Sequence, residues 1–208
     1  KLLLFIALII ISCSKGDESE SKSSSISYET VKYGSLIWSI ENANIEAYRD
    51  GTPIPKVSDV TEWRNLTTGA WCYIDNDSSK RKLYNWYAIV GIHDNDVSTP
   101  NKIFAPNGWR VSTLADWQNL EDFLNDNDYL TDYEQTSSTQ NTLAACLSAK
   151  TSWRGFCSSG CEPPYYSHNY PGKRLDLNNS SGFTAFADGC RLSGNSTLSL
   201  VQVNTAMK

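Results

Sequence analysis

The side chains of this chain with the widest chemical reach are six Cys and two His, and their spacing favours cross-linking over catalysis. Cys157-Ser-Ser-Gly-Cys161 sets two thiols on a short segment with Gly to turn it, which predicts a local disulfide. Cys146 with Cys190 is a longer-range pairing that the same count allows. A zinc site calls for paired short Cys/His spacings, whereas His93 and His168 stand isolated, so no metal and no other cofactor is expected. Asp75-Asn76-Asp77 has oxygen ligands but no completing Gly and Glu, and reads as a turn. Serine-hydrolase elbow, P-loop, zinc-protease helix and dinucleotide glycine loop are all missing, so the chain is not expected to be an enzyme. What remains is non-covalent recognition. The run Tyr165-Tyr166-Ser167-His168-Asn169-Tyr170 offers rigid contact area and ring faces on which sugars stack, so Tyr165, Tyr166, His168 and Tyr170 are the candidate ligand-binding residues. The same rings could instead cover the core beneath a long loop, and both readings stay open.

Cys13 is a different case. It closes an apolar run over residues 2–11 followed by Ser12, and a polar stretch begins at once. That run is shorter than the roughly 20 residues a membrane-spanning helix needs, and it falls within the length of a signal-peptide core. The pattern Ile10-Ile11-Ser12-Cys13 resembles the lipobox of a bacterial lipoprotein, and the resemblance implies lipidation of Cys13. With Cys13 acylated, an odd number of thiols remains. Residues 14–25 contain no apolar side chain and cannot offset chain entropy by burial, so they read as a flexible stalk. Asp17-Glu18 close behind Cys13 resembles the signal that sends Bacteroidetes lipoproteins to the outer face of the outer membrane. The expected organisation is a leader over 1–13, a linker over 14–26 and one domain over 27–208. The expected location is the outer membrane, lipid-anchored and facing the exterior. The formal net charge of −5 with no Lys/Arg cluster argues against nucleic acid as a partner.

The elements that must position these residues are legible in part. Residues 26–33 alternate apolar and polar up to Gly34, and Leu36-Ile37-Trp38 continues as a strand, predicting a hairpin. Asp50-Gly51 is a turn before extended residues 52–55. Residues 66–74 read as a strand, and the apolar stretch 83–90 as a short helix or a buried strand. Pro106-Asn107-Gly108 turns the chain into Trp109-Arg110-Val111. Thr113 caps a helix with Leu114, Trp117, Leu120, Phe123 and Leu124 on one face and Asp116 with Gln118, Asn119, Glu121 and Asp122 on the polar one. A second helix fits 140–150, with Leu143, Ala144 and Leu147 inward. Residues 151–181 are loop-like, 182–186 a return strand, and Leu198, Leu200, Val201 and Val203 one more strand. Trp38, Trp86, Trp109 and Trp117 are all expected in the core.

Several segments, in order, resemble the Fibrobacter succinogenes major paralogous domain. They are Trp38-Ser39-Ile40-Glu41-Asn42-Ala43-Asn44 with Tyr48-Arg49-Asp50-Gly51-Thr52-Pro53; Gly69-Ala70-Trp71-Cys72-Tyr73; Leu83-Tyr84-Asn85-Trp86-Tyr87-Ala88; Asn107-Gly108-Trp109-Arg110-Val111 with Asp116-Trp117; Trp153; and Ser181-Gly182-Phe183-Thr184-Ala185. The resemblance implies an α+β, C-type-lectin-like fold: a twisted antiparallel sheet with two flanking helices and long loops. From Leu192 onward the pattern departs from the family, so the last strands are expected to be missing. Calcium-mediated sugar binding is not implied, because Glu162-Pro163-Pro164 lacks the amide oxygen of the lectin motif. The expected function is a lipid-anchored, surface-exposed, non-catalytic binding or adhesion module with a glycan or cell-surface protein as ligand. The alternatives are a structural or defective paralogue without ligand, and an enzyme of the formylglycine-generating type.

Overall fold

Gly34 takes φ +56° and folds β1 (Thr30–Tyr33) back onto β2 (Leu36–Ser39), with Thr30 opposite Ser39 and Tyr33 opposite Leu36. In this computed structural model, residues 27–129, 139–153, 175–189, 191 and 205–207 are described. The alternation in β1 and β2 sends Val31, Tyr33, Leu36 and Trp38 toward one core. β3 (Trp71–Tyr73) and β4 (Lys82–Tyr84) form a separate antiparallel hairpin. Between them a 3-10 turn, Ile74–Asn76, places Asp75 and Asn76 at φ 53° and 57°, a conformation that short polar side chains tolerate best. β5 is Trp109–Val111 and β6 is Thr205–Met207. β6 lies between β2 and β5, giving a four-stranded antiparallel sheet in the order β1-β2-β6-β5.

Four helices complete the described residues: α1 (Val60–Arg64), α2 (Trp86–Val90), α3 (Leu114–Asp126) and α4 (Thr139–Leu147). The first three carry side-chain N-caps from Asp59, Asn85 and Thr113. At α3 the cap is reciprocal: Thr113 Oγ1 accepts from the Asp116 amide, and Asp116 Oδ2 accepts from the Thr113 amide at 2.7 Å. The main core lies between the four-stranded sheet and α3 and α4. It joins Tyr33, Trp38, Leu120, Leu124, Cys146 and Phe183, with Trp117 and Phe123 at its margin. Phe183 is its keystone, with ring centroids 5.8 Å from Trp38, 5.7 Å from Trp117 and 6.5 Å from Tyr33. Burying one such side chain contributes about 1.5–3 kcal/mol. A second core behind the β3–β4 hairpin gathers Ile45, Tyr48, Ile54, Trp71, Ala88 and Phe104.

The architecture is mixed α and β with small antiparallel sheets. Several expectations need correction. Asp116 is buried rather than on the polar face, because Arg110 reaches it from β5: Nη2 donates to Oδ1 at 2.6 Å and Nη1 to Oδ2. Leu114 is exposed, since the first helical residue sits outside the stripe that meets the sheet. Of the α4 residues expected inward, Leu143 and Leu147 pack against the main core but Ala144 faces out, and among the described side chains of α4 the fully buried ones are Ala145 and Cys146. Cys146 is a free thiol inside the main core, so the longer-range pair with Cys190 is not formed. The stretch 83–90 is neither one helix nor one strand. It divides at Asn85 into β4 and α2. The strand read over 66–74 shortens to β3, and Leu198, Leu200, Val201 and Val203 lie outside the described residues.

Residues 182–186 are not a strand: the turn they follow takes most of their amides and also caps α4. The last carbonyls of a helix have no intrahelical donors. Here Asn179 N meets Ala145 O at 3.0 Å, Ser181 Oγ meets Cys146 O at 2.7 Å and Ala185 N meets Leu147 O at 2.8 Å. Within 182–186 the Gly182 amide donates to Asn179 O, Phe183 N to Ser181 Oγ and Thr184 N to Asn179 Oδ1, so local turn acceptors take them, and only Ala185 N reaches α4, at the single parallel bridge of Ser148 with Ala185.

Candidate functional site

The residues singled out for ligand contact, Tyr165, Tyr166, His168 and Tyr170, lie outside the described residues, as do Cys157, Cys161, Cys190 and the lipidation residue Cys13. The structure shows what holds the flanks of that loop. On the near side the Trp153 indole donates to Ala185 O at 2.9 Å and the Ala149 amide to the same carbonyl at 2.6 Å. On the far side Asn178 Nδ2 donates to Ala149 O at 3.0 Å. Both flanks are therefore fastened at the C-terminal end of α4, next to the core that Phe183 fills.

Trp86 is exposed, at 65%, against the expectation that it is a core residue. The reason lies two residues on. Ala88 is fully buried and packs on Gly69, where an added Cβ would stand 2.9 Å from Ala88 Cα. At about 100° per residue, a position two before the buried one points to the opposite side of the helix. The five-residue helix is nevertheless held firmly. Asn85 Oδ1 accepts from Ala88 N at 2.9 Å and Ala70 N at 3.0 Å, and its Nδ2 donates to Thr68 O at 2.8 Å. Gly91 closes the helix at φ +84°, with Lys102 N donating to its carbonyl at 2.9 Å. Tyr87 stands edge-on to Trp86 at 5.5 Å. The signal in the sequence was the small Ala after Trp-Tyr, which marks the close-packed side of the helix.

The β3–β4 hairpin carries a second unanticipated group. Trp71 and Tyr73 face Tyr84 and Lys82 across the register, so these four side chains share one side. Lys82 Nζ lies 4.6 Å from the Trp71 ring centroid, and Lys56 Nζ lies 4.7 Å from that of Tyr73. The Tyr84 hydroxyl accepts from Ile45 N at 2.6 Å and donates to Ile45 O at 2.8 Å, and burial pushes its phenol well above the ordinary range. Two arginines fasten the chain near residue 190 to the hairpin region. Arg81 stacks on Phe186 at 3.7 Å and pairs with Asp188 at 2.5 Å, while Arg191 lies 5.2 Å from the Trp63 ring and donates to Asn76 Oδ1 and Ser58 O.

Burial pushes the Cys72 thiol up, against the opposing pull of Arg191, so it is protonated at neutral pH and a weak nucleophile. His93 contacts Asp94 at 3.2 Å and lies edge-on to Tyr48. Among the described residues no three His, Cys, Asp or Glu side chains lie together in a way that could hold a metal ion.

No curated protein and no solved structure matches the chain. A family model does, and it covers residues 31–202, reaching past Leu192, where the sequence pattern was read as departing. The segments that build β1 from Val31 on, β2, the β3–β4 hairpin, α2 and the α4 cap lie inside that match, and the chain belongs to the Fibrobacter succinogenes major domain family.

Proposed function

We propose that the chain is a lipid-anchored, surface-exposed, non-catalytic binding or adhesion module with a C-type-lectin-like fold. The observation that carries the binding function is Trp86: a large exposed indole on a helix capped at both ends. Exposed aromatic anchors on rigid elements are where binding energy concentrates, because little entropy is lost when they are covered. The loop residues Tyr165, Tyr166, His168 and Tyr170 extend the contact surface in this reading, with a Cys157–Cys161 disulfide bracing them. Two helices against an antiparallel sheet, with a separate hairpin beside it, support the lectin-like arrangement. The anchor and the outward-facing location rest on the sequence around Cys13 and Asp17-Glu18. The partner is a glycan or a cell-surface protein, and nucleic acid is not among the candidates.

The test is binding of the purified chain to a glycan array and to whole cells, for wild type and Trp86→Ala. Trp86→Ala is expected to weaken binding about tenfold, a loss of ~1.4 kcal/mol, with an unchanged melting temperature. Equal binding by both, or no binding by either, removes the basis of the proposal. Membrane fractionation of Cys13→Ser tests the anchor separately: release into the soluble fraction is expected.

A further inference from the structure

Lys82 and Lys56 share the aromatic side of the β3–β4 hairpin but differ in what they have left to give. The Lys82 side chain is 6% exposed and its ammonium is committed, donating to Asn44 Oδ1 at 2.6 Å and Glu46 Oε1 at 2.7 Å. Lys56 is exposed, and among the described residues it makes no ion pair. Its Nζ rests over the ring of Tyr73, with the Trp71 ring 5.6 Å away. The patch therefore sets two ammonium groups against one carboxylate, a local positive surplus on a chain of net charge −5. A cation seated on a ring face turns its remaining N–H donors outward, and the ring beneath limits their hydration. That geometry suits an anion arriving from solvent. Beside it, Asn44 keeps its Nδ2 as a donor and Glu46 keeps Oε2 as an acceptor. A donor and an acceptor side by side match neighbouring sugar hydroxyls.

We infer that this face binds a carboxylate-bearing saccharide, a uronic-acid unit of a polysaccharide, with Lys56 meeting the carboxylate and Asn44 and Glu46 the hydroxyls. This rests on the reading of the chain as a binding module and names the ligand class for a second surface of it. Lys56 is the specificity-determining residue, since it supplies the charge that separates an acidic sugar from a neutral one.

The experiment is calorimetric titration of the full 208-residue chain with a galacturonic acid oligomer, the methyl ester of that oligomer, and sodium acetate. The acid form is expected to bind at least about tenfold more tightly than the ester, and its affinity to fall as salt is raised. Lys56→Gln should lose the same factor for the acid form and leave the ester unaffected, and Lys56→Arg should restore it. Equal binding of acid and ester, wild-type affinity in Lys56→Gln, or displacement of the oligomer by equimolar acetate would each overturn the inference. Trp86→Ala separates this failure from the broader one. Glycan binding that depends on Trp86 but not on Lys56 sinks the acidic-sugar inference and leaves the binding module standing, whereas no glycan or cell binding by any variant sinks both.

Discussion

Asp116→Asn isolates one charge without removing a side chain. In the folded protein Asp116 accepts from Arg110 through both oxygens and from the Thr113 amide, and these bonds, Arg110 first, hold its carboxyl well below the usual carboxylate range. Hydrogen bonds to a charged group contribute about 1.5–3 kcal/mol, and neutral ones about 1. The amide of Asn keeps one acceptor for Thr113 but loses the charge, and Arg110, with about a third of its side chain in solvent, rehydrates in part. The expected cost is therefore about 1.5 kcal/mol. Asp116→Ala, which also loses the cap, should cost about 3 kcal/mol. In urea, with a slope of about 1–3 kcal/mol per molar, the Asn variant moves the midpoint down by about 0.5–1.5 M. Tryptophan fluorescence provides the readout, since Trp38 and Trp117 sit in the core that α3 covers. The sign with pH follows from a depressed folded value. The contribution is fully present above the unfolded carboxylate value of about 3.9 and is lost as pH falls below it toward the folded one. The gap between wild type and Asp116→Asn should narrow over that acidic window. A midpoint within about 0.2 M of wild type at neutral pH, or a gap unchanged by acid, refutes the reasoning.

Two further outcomes can be checked by melting curves. Phe183→Ala removes the ring shared by Trp38, Trp117 and Tyr33 and should cost about 3–5 kcal/mol, a large part of a domain's net stability. At Gly91 an added Cβ would stand 1.9 Å from Lys102 O, at a φ of +84°. Gly91→Ala should therefore cost about 2–4 kcal/mol, whereas Gly51→Ala, with φ +88° and open space around it, should cost only about 1 kcal/mol.

Local signals carried much of the fold. The β1–β2 hairpin was legible from the alternation ending at Gly34, and α3 from Thr113 and the apolar spacing behind it. Each of these is decided within a few residues. The errors came where a distant partner decides. Asp116 reads as one acid among several on a polar face until β5 brings Arg110 to it. Trp86 reads as core because Trp in an apolar run usually is, yet a helix this short has room to bury only one side, and Gly69 takes Ala88. Residues 182–186 have the composition of a strand, but the amides of Gly182, Phe183 and Thr184 are claimed by the turn at Asn179 and Ser181. The lysines resting on the β3–β4 face were not legible, because Lys56 comes from a separate segment joined to Trp71 by one parallel bridge.

The placement of Thr205–Met207 between β2 and β5 has a consequence for the order of events during biogenesis. Strands made early must wait for residues made late before their backbone groups find partners. Until then Ile37 and Trp38 on one side, and Trp109 and Arg110 on the other, face an empty slot. Pairings so far apart along the chain form slowly. Of the four strands the central β6 is made last, so closure of the sheet waits for it.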